Sequence, residues 1–120
     1  MKKLINSFKY AFEGIITGIK EERNIKIHIS IMILVIILGI LLKISQIEWI
    51  ICIILFGLVI SLEFVNTAIE NAVDLITQEK NPQAKIIKDV AAGAVLVSAI
   101  SSAIIGLIVF IPKIIDLIRI

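Results

Sequence analysis

Three long apolar runs determine what this chain of 120 residues can fold into. The predicted spans cover about residues 25–42, 48–76 and 86–111, and Pro112 is predicted to end the last of them. The hydrophobic share of 59% is well above that of an ordinary soluble domain, and a helix of about 18 apolar residues comes close to the thickness of the hydrocarbon core of a bilayer. The sequence therefore predicts an all-α integral membrane protein with one domain and three transmembrane helices.

The first 20 residues have a different pattern. Leu4, Phe8 and Phe12 recur at helical spacing, while polar residues such as Lys9 lie on the other side of the same helix. Aromatic anchors opposite charged side chains are typical of a helix that lies in the membrane interface. We therefore predict an amphipathic surface helix over about residues 4–20.

The distribution of Lys and Arg predicts the orientation of the chain. Six of these twelve residues precede residue 27, and three more lie between residues 80 and 88. Because the cytoplasmic loops of membrane proteins carry an excess of Lys and Arg, we expect the N-terminus and the second loop in the cytoplasm.

Four polar residues interrupt the apolar sequence of the second span. Glu63, Asn66, Glu70 and Asp74 recur at spacings of three and four residues, which places them on one face of a helix. Carboxylates at membrane depth are too costly to keep without a function. This face descends to the cytoplasmic end of the span, so we expect the chemistry of the protein there.

Three further residues are expected at the same membrane face. Glu22 precedes the first span, and Lys88 and Asp89 begin the third. Carboxylate oxygens suit Mg²⁺, which binds through one or two carboxylates together with nucleotide phosphates, and a lysine can hold a phosphate. The sequence therefore predicts a magnesium nucleotide site.

Several other functions are not expected from this sequence. It contains no Gly-x-x-x-x-Gly-Lys-Ser/Thr loop and no Gly-x-Gly-x-x-Gly turn, so neither a P-loop enzyme nor a protein kinase is predicted. The net charge of +2, without a basic run interleaved with aromatic residues, argues against nucleic acid as a partner. A small cation transporter and a structural subunit whose carboxylates form only ion pairs remain as alternatives. A transporter places ionisable groups on both halves of its path, whereas these cluster at one face.

The string E-F-V-N-T-A-I-E-N-A-V-D, residues 63–74, resembles the signature of the small prokaryotic diacylglycerol kinase family. Lys88, Asp89 and the following Ala91-Ala92 resemble the second motif of that family, and the resemblance covers nearly the whole chain. The family includes the undecaprenol kinases of Gram-positive bacteria. The resemblance implies a multi-pass protein of the bacterial plasma membrane that transfers the γ-phosphate of ATP to the hydroxyl of a membrane lipid.

The resemblance also implies an assembly and roles for individual residues. The expected assembly is a homotrimer whose active sites form between neighbouring subunits at the cytoplasmic face. By similarity, Glu63 is the general base, Glu22 and Glu70 hold Mg²⁺, Asn66 orients the base or the substrate, and Lys88 holds phosphate. Nucleotide contacts are assigned by similarity to Tyr10, Glu79, Lys80, Asn81 and Asp89. Lys3 stands where the family has an arginine, so the bidentate contact of an arginine is not expected at this position.

Two lipid alcohols are candidate substrates. The stretch Glu22-Arg23-Asn24 followed by His28 resembles the undecaprenol-kinase branch of the family, which implies undecaprenol as the acceptor and undecaprenyl phosphate as the product. The alternative acceptor is diacylglycerol, which gives phosphatidic acid. His28 itself is interpreted as a polar residue of the interface rather than as a catalytic group.

Overall fold

The computed structural model describes residues 1–119, which form four helices. These helices are α1 (Lys2–Glu21), α2 (Arg23–Leu41), α3 (Gln46–Ile76) and α4 (Pro82–Ile118). The described residues contain no strand, so the predicted all-α fold is confirmed. Helices α2, α3 and α4 are each long and apolar enough to cross a membrane, which agrees with the three predicted spans.

Most of the large apolar side chains on these three helices are exposed on the outside of the bundle, as on Ile33, Ile53 and Ile104. This arrangement suits a membrane, because lipid solvates apolar side chains that water would not. The buried apolar cluster is small and contains Ile44, Cys52 and Phe110. It joins α4 to the turn between α2 and α3.

The turn between α2 and α3 is fixed by hydrogen bonds at the start of α3. The Ser45 hydroxyl accepts a hydrogen bond from the Glu48 backbone N–H at 3.2 Å, and the Glu48 carboxylate accepts one from the Ser45 N–H at 2.8 Å. This reciprocal capping satisfies two backbone donors that a helix start leaves unpaired. Gly39 faces the Trp49 ring closely, since a Cβ at Gly39 would lie 2.7 Å from a ring carbon.

The prediction that Pro112 ends the third span is wrong, because α4 continues through this residue to Ile118. A proline inside a helix removes one backbone hydrogen bond, here the bond to the carbonyl of Ile108. The turn after the proline is held by a contact with another helix. Lys113 Nζ lies 3.0 Å from Glu48 Oε1 at the start of α3, so this ion pair ties the end of α4 to the opposite helix.

Candidate functional site

The polar face predicted on α3 is buried inside the bundle along part of its length. Glu63, Asn66 and Thr67 have exposed fractions of only 1%, 5% and 8%. Their spacings of three and four residues place them on one side of the helix, together with Glu70 one turn further on. This side of α3 contacts the junction between α1 and α2.

The junction between α1 and α2 is a single residue, Glu22, whose backbone is extended at φ −103° and ψ 116°. A glycine sets how closely α1 approaches α3. A Cβ at Gly18 would lie 2.6 Å from two ring carbons of Phe64, so only glycine permits this approach. The Gly18 carbonyl accepts a hydrogen bond from the Glu22 N–H at 3.0 Å, and the close packing therefore fixes the backbone of Glu22 as well.

The Glu22 side chain crosses from this junction to α3. Its Oε2 accepts a hydrogen bond from the Thr67 hydroxyl at 2.9 Å. The same hydroxyl lies 3.1 Å from the Glu63 carbonyl oxygen of its own helix. Thr67 therefore holds a predicted metal ligand from one part of the chain against the face that carries the predicted base.

Glu63 is distinct among the polar residues of this face. Neither of its carboxylate oxygens makes a hydrogen bond of good geometry, although both are buried and the Asn24 side chain lies close to them. The imidazole of His28 on α2 lies beside it, with His28 Nε2 at 3.9 Å from Glu63 Oε2. Glu22 and Glu70 lie close enough to act on Glu63 electrostatically. Buried polar groups in native proteins are almost always paired, so the unpaired oxygens of Glu63 are exceptional within this site.

Asn66 and Glu70 form the next contact along α3. Asn66 Nδ2 donates a hydrogen bond to Glu70 Oε1 at 3.2 Å, while Asn66 Oδ1 is buried without a partner. Only one oxygen of the Glu70 carboxylate accepts this bond. Likewise, only one oxygen of the Glu22 carboxylate accepts the bond from Thr67. Thr67 precedes Glu70 by three residues on the same face of α3. The hydrogen bond from Thr67 therefore brings Glu22 to the face that carries Glu70.

The donor set of these two side chains fits Mg²⁺, a hard cation that keeps several waters and takes one or two carboxylates alongside phosphate oxygens. No cluster of three or more His, Cys, Asp or Glu side chains arranged to hold a metal occurs within residues 1–119. A cation held by two carboxylates therefore needs further oxygen ligands from a nucleotide and water.

The loop between α3 and α4 borders a second region with charged side chains, an open cavity of about 670 Å³. Here Lys88 Nζ lies 2.6 Å from Asp74 Oδ1, and Lys85 Nζ lies 2.6 Å from Asp89 Oδ2. The Asn81 side chain caps α4, since its Oδ1 accepts hydrogen bonds from two backbone N–H groups. The residues assigned to nucleotide or phosphate that line this cavity are Glu79, Lys80, Asn81, Lys88 and Asp89.

Two other residues considered for the nucleotide site lie elsewhere. Tyr10 is on α1, 63% exposed, and is not among the residues that line the cavity. Lys3 is exposed near the start of the same helix. Within one chain, the structure therefore collects the loop residues around Lys88 but does not bring Tyr10 to them.

Two residues of this site were not expected there from the sequence: Thr67 was not singled out, and His28 was interpreted as a polar residue of the interface. Thr67 stands four residues after Glu63 and so shares its face, which is a usable signal. His28 stands three residues after Ile25, which is fully buried, and therefore lies on the side of α2 that faces α3. The sequence does not show that the helix contacts put these two side chains next to Glu22 and Glu63.

Comparison with known proteins gives a consistent result. A family model described as prokaryotic diacylglycerol kinase matches residues 9–110. The chain is 47% identical over 113 residues to the undecaprenol kinase of Bacillus subtilis, an alignment that covers 94% of this chain and 92% of that protein.

Two relatives are named diacylglycerol kinases. The protein from a Synechocystis species is 38% identical over 115 residues, which is 95% of this chain and 66% of the relative. The protein from Pseudomonas aeruginosa is 26% identical over 98 residues, which is 82% of this chain and 80% of the relative. All three relatives are named as kinases of lipids, and each alignment covers most of the present chain.

Proposed function

Because this chain belongs to the prokaryotic diacylglycerol kinase family and is a bacterial membrane lipid kinase, we propose that it phosphorylates undecaprenol to undecaprenyl phosphate. The support for this acceptor is the 47% identity to the undecaprenol kinase over nearly the full length of both chains. Diacylglycerol is the second candidate, since two relatives that share less identity with this chain carry that name. Membership of a kinase family removes the alternatives of a cation transporter and a structural subunit.

The buried and unpartnered carboxylate of Glu63 is the single observation that supports the mechanism best. Glu63 acts as the general base: it takes the proton of the lipid hydroxyl while the hydroxyl oxygen forms a bond to the γ-phosphorus of ATP. The bond from that phosphorus to the bridging oxygen breaks, and its electron pair leaves with ADP. A positioned base of this kind contributes about 10²- to 10⁴-fold to the rate.

The metal belongs on Glu22 and Glu70. When bound, Mg²⁺ neutralises the charge that develops on the phosphates, and this is one of the two main demands of phosphoryl transfer. Thr67 and Asn66 each bond one oxygen of these carboxylates, so the orientation of both side chains is set before the nucleotide arrives. Positioning is the other main demand of the reaction.

The cavity at the loop between α3 and α4 holds the nucleotide. Lys88 contacts phosphate as a point charge, and its ion pair with Asp74 directs its ammonium group toward the α3 side of the cavity. Glu79, Lys80, Asn81 and Asp89 contact other parts of ATP. Nine of the twelve Lys and Arg residues flank this end of the bundle, which supports a site on the cytoplasmic face.

A homotrimer completes the arrangement. Tyr10 lies outside the cavity of its own chain, and a site formed between neighbouring subunits allows α1 of one chain to approach the nucleotide bound to another. Much apolar surface remains exposed on the single chain, and lipid and neighbouring subunits share it.

The proposed function is tested with purified protein in mixed micelles that contain either undecaprenol or diacylglycerol, with MgATP labelled at the γ-phosphate. We expect label in undecaprenyl phosphate at several times the rate for phosphatidic acid. A clear preference for diacylglycerol would refute the choice of acceptor. Label in neither lipid would refute the proposed function altogether.

Two variants separate the roles of the carboxylates in this assay. Glu63→Gln should lower turnover at least about 100-fold with MgATP binding largely unchanged, because only the base is lost. It should also unfold no more readily than the wild type, because it replaces a buried carboxylate by a neutral side chain of the same size. Glu70→Gln should instead weaken nucleotide binding that depends on Mg²⁺. Glu13→Gln, an identical change at an exposed position on α1, is the matched control and should leave both properties unchanged.

A further inference from the structure

His28 is an ionisable residue beside Glu63 that the proposed mechanism does not use. It is 22% exposed, lies on α2, and its Nε2 is 3.9 Å from Glu63 Oε2. This distance is too long for a direct hydrogen bond, whose length is about 2.7–3.2 Å. The two side chains therefore face each other without being bonded.

A hydroxyl oxygen can bridge these two atoms once the side chains part to admit it, since both Glu63 oxygens are buried in the chain alone. An oxygen placed about 2.8 Å from both Nε2 and Oε2 makes an angle between them of about 90°, since the two atoms are 3.9 Å apart. That angle is somewhat smaller than the tetrahedral angle around a hydroxyl oxygen, and a small separation of the two side chains brings it to the tetrahedral value. Such an oxygen can donate its proton to Glu63 and accept a hydrogen bond from the imidazole N–H at the same time.

His28 also lines an apolar cavity of about 440 Å³ between α2, α3 and α4. The side chains that continue from it include Met32, Val35, Val59 and Phe110. Among all the residues that line this cavity, His28 and the Cys52 thiol are the only ones that can ionise. The volume lies within the range of about 300–1,000 Å³ that is typical of ligand sites. The Glu63 carboxylate thus lies beside His28, and His28 in turn lines the apolar cavity.

We propose that His28 is a substrate-binding residue that holds the lipid hydroxyl against Glu63, with the first part of the hydrocarbon chain in the cavity between α2, α3 and α4. This inference rests on the proposed lipid kinase function. The Nε2–H of His28 donates to the hydroxyl oxygen, and the proton of that hydroxyl passes to Glu63 Oε2 as the oxygen bonds to the γ-phosphorus. His28 keeps its own proton throughout, and ADP leaves with the electron pair of the broken bond.

The test compares His28→Leu with His28→Gln. Leucine fills a similar volume without a donor, whereas glutamine places an amide N–H near the position of Nε2. We expect His28→Leu to raise the KM for the lipid alcohol about 3- to 10-fold, the effect of one lost hydrogen bond, with the KM for MgATP unchanged. His28→Gln should recover most of the loss. Ser30→Ala on the same helix removes an exposed hydroxyl that bonds only the Lys26 carbonyl, and it should have no effect.

A chain-matched analogue that lacks the hydroxyl separates hydrogen bonding from packing. It should inhibit the wild type and His28→Leu with the same inhibition constant, because its binding uses only the apolar cavity. An unchanged KM for the alcohol in His28→Leu, or an equal loss of affinity for the analogue, would refute the role of His28. If His28→Leu does not fold, His28→Gln is compared with His28→Asn, whose amide lies near Nδ1 instead. Equal kinetics for these two variants would also refute the proposal.

The activity of the wild type distinguishes a failure of the proposed function from a failure of the inference about His28. If the wild type phosphorylates neither lipid, the proposed function is wrong. If it phosphorylates lipid and the His28 variants behave as the wild type does, only the inference about His28 is wrong.

Discussion

The close contact between α1 and α3 at Gly18 gives a prediction that tests the whole site. In Gly18→Ala, the new Cβ would lie 2.6 Å from Cδ1 and Cε1 of the Phe64 ring. Carbon atoms in contact prefer about 3.5–4.0 Å, so the ring or the helix must move by about 1 Å. Phe64 follows Glu63 directly and is half-buried, and any movement there reaches the site.

The magnitude follows from two opposing effects. Overpacking of this kind costs about 1–3 kcal/mol, whereas alanine in place of glycine favours a helix by up to about 1 kcal/mol. Gly14→Ala supplies the matched control, because a Cβ at Gly14 on the same helix meets no atom within 4 Å. The difference in free energy of unfolding between the two variants therefore isolates the clash, and we expect Gly18→Ala to be less stable by about 1–3 kcal/mol.

The functional effect should follow from the position of Glu22. Its backbone N–H bonds the Gly18 carbonyl, and its carboxylate bonds Thr67 at 2.9 Å, so a shift of α1 draws the carboxylate away from α3. We expect the Mg²⁺-dependent affinity for ATP to fall about tenfold, equivalent to about 1.4 kcal/mol. Unfolding in mixed micelles and titration with ATP at several Mg²⁺ concentrations measure the two effects.

A second substitution sharpens this test. Phe64→Leu in the Gly18→Ala background removes the ring that the new methyl group meets, so it should restore stability and nucleotide affinity toward the values of Phe64→Leu alone. If Gly18→Ala instead matches Gly14→Ala in both measurements, α1 does not pack on α3 through Gly18, and the position assigned to Glu22 is wrong.

The remaining predictions concern the contacts at the two ends of α3. Thr67→Val should weaken Mg²⁺-dependent ATP binding about tenfold, because a hydrogen bond to the charged Glu22 is worth about 1.5–3 kcal/mol, while Thr67→Ser should keep it. Unchanged Mg²⁺ dependence in Thr67→Val would contradict this role. Lys113→Met should lower the midpoint of thermal unfolding by removing the ion pair with Glu48, yet leave ATP affinity as in the wild type. An equal fall in ATP affinity would show that the outer end of the bundle is coupled to the site.

The sequence predicts the helices well because each apolar run is long. A run of about 18 apolar residues has few alternatives to a membrane helix, since only an intact helix satisfies its backbone within lipid. The exception is Pro112, where the rule that proline ends a helix considers only the local hydrogen bond that is lost. The contact between Lys113 and Glu48 holds the turn after the proline, and the two residues are far apart in the sequence.

The candidate site is only partly predictable for the same reason. Spacing along α3 identifies one polar face, because neighbours on a helix surface follow from its geometry. The positions of Glu22 and His28 depend instead on how α1 and α2 approach α3. The approach of α1 is set by the absence of a side chain at Gly18, and a glycine in an amphipathic helix does not indicate its partner.

The hydrogen bonds on the polar face divide its members into two groups. Most members have a partner within the chain: Asn66 with Glu70, Thr67 with Glu22, and Asp74 with Lys88. The hydrogen bonds in these pairs offset part of the free energy lost when polar groups are buried inside the bundle. They also set the geometry of the carboxylates and the lysine. For Glu63 the free energy lost on burial is not offset in this way, since both of its oxygens are buried without a hydrogen bond of good geometry. A group that weakens the fold in this way is retained where a substrate supplies the missing partner, and the distance of 3.9 Å between Glu63 Oε2 and His28 Nε2 is one that a hydroxyl oxygen can bridge. This division is what the proposed mechanism requires, in which Glu63 is the base and the paired residues around it place the metal and the phosphates.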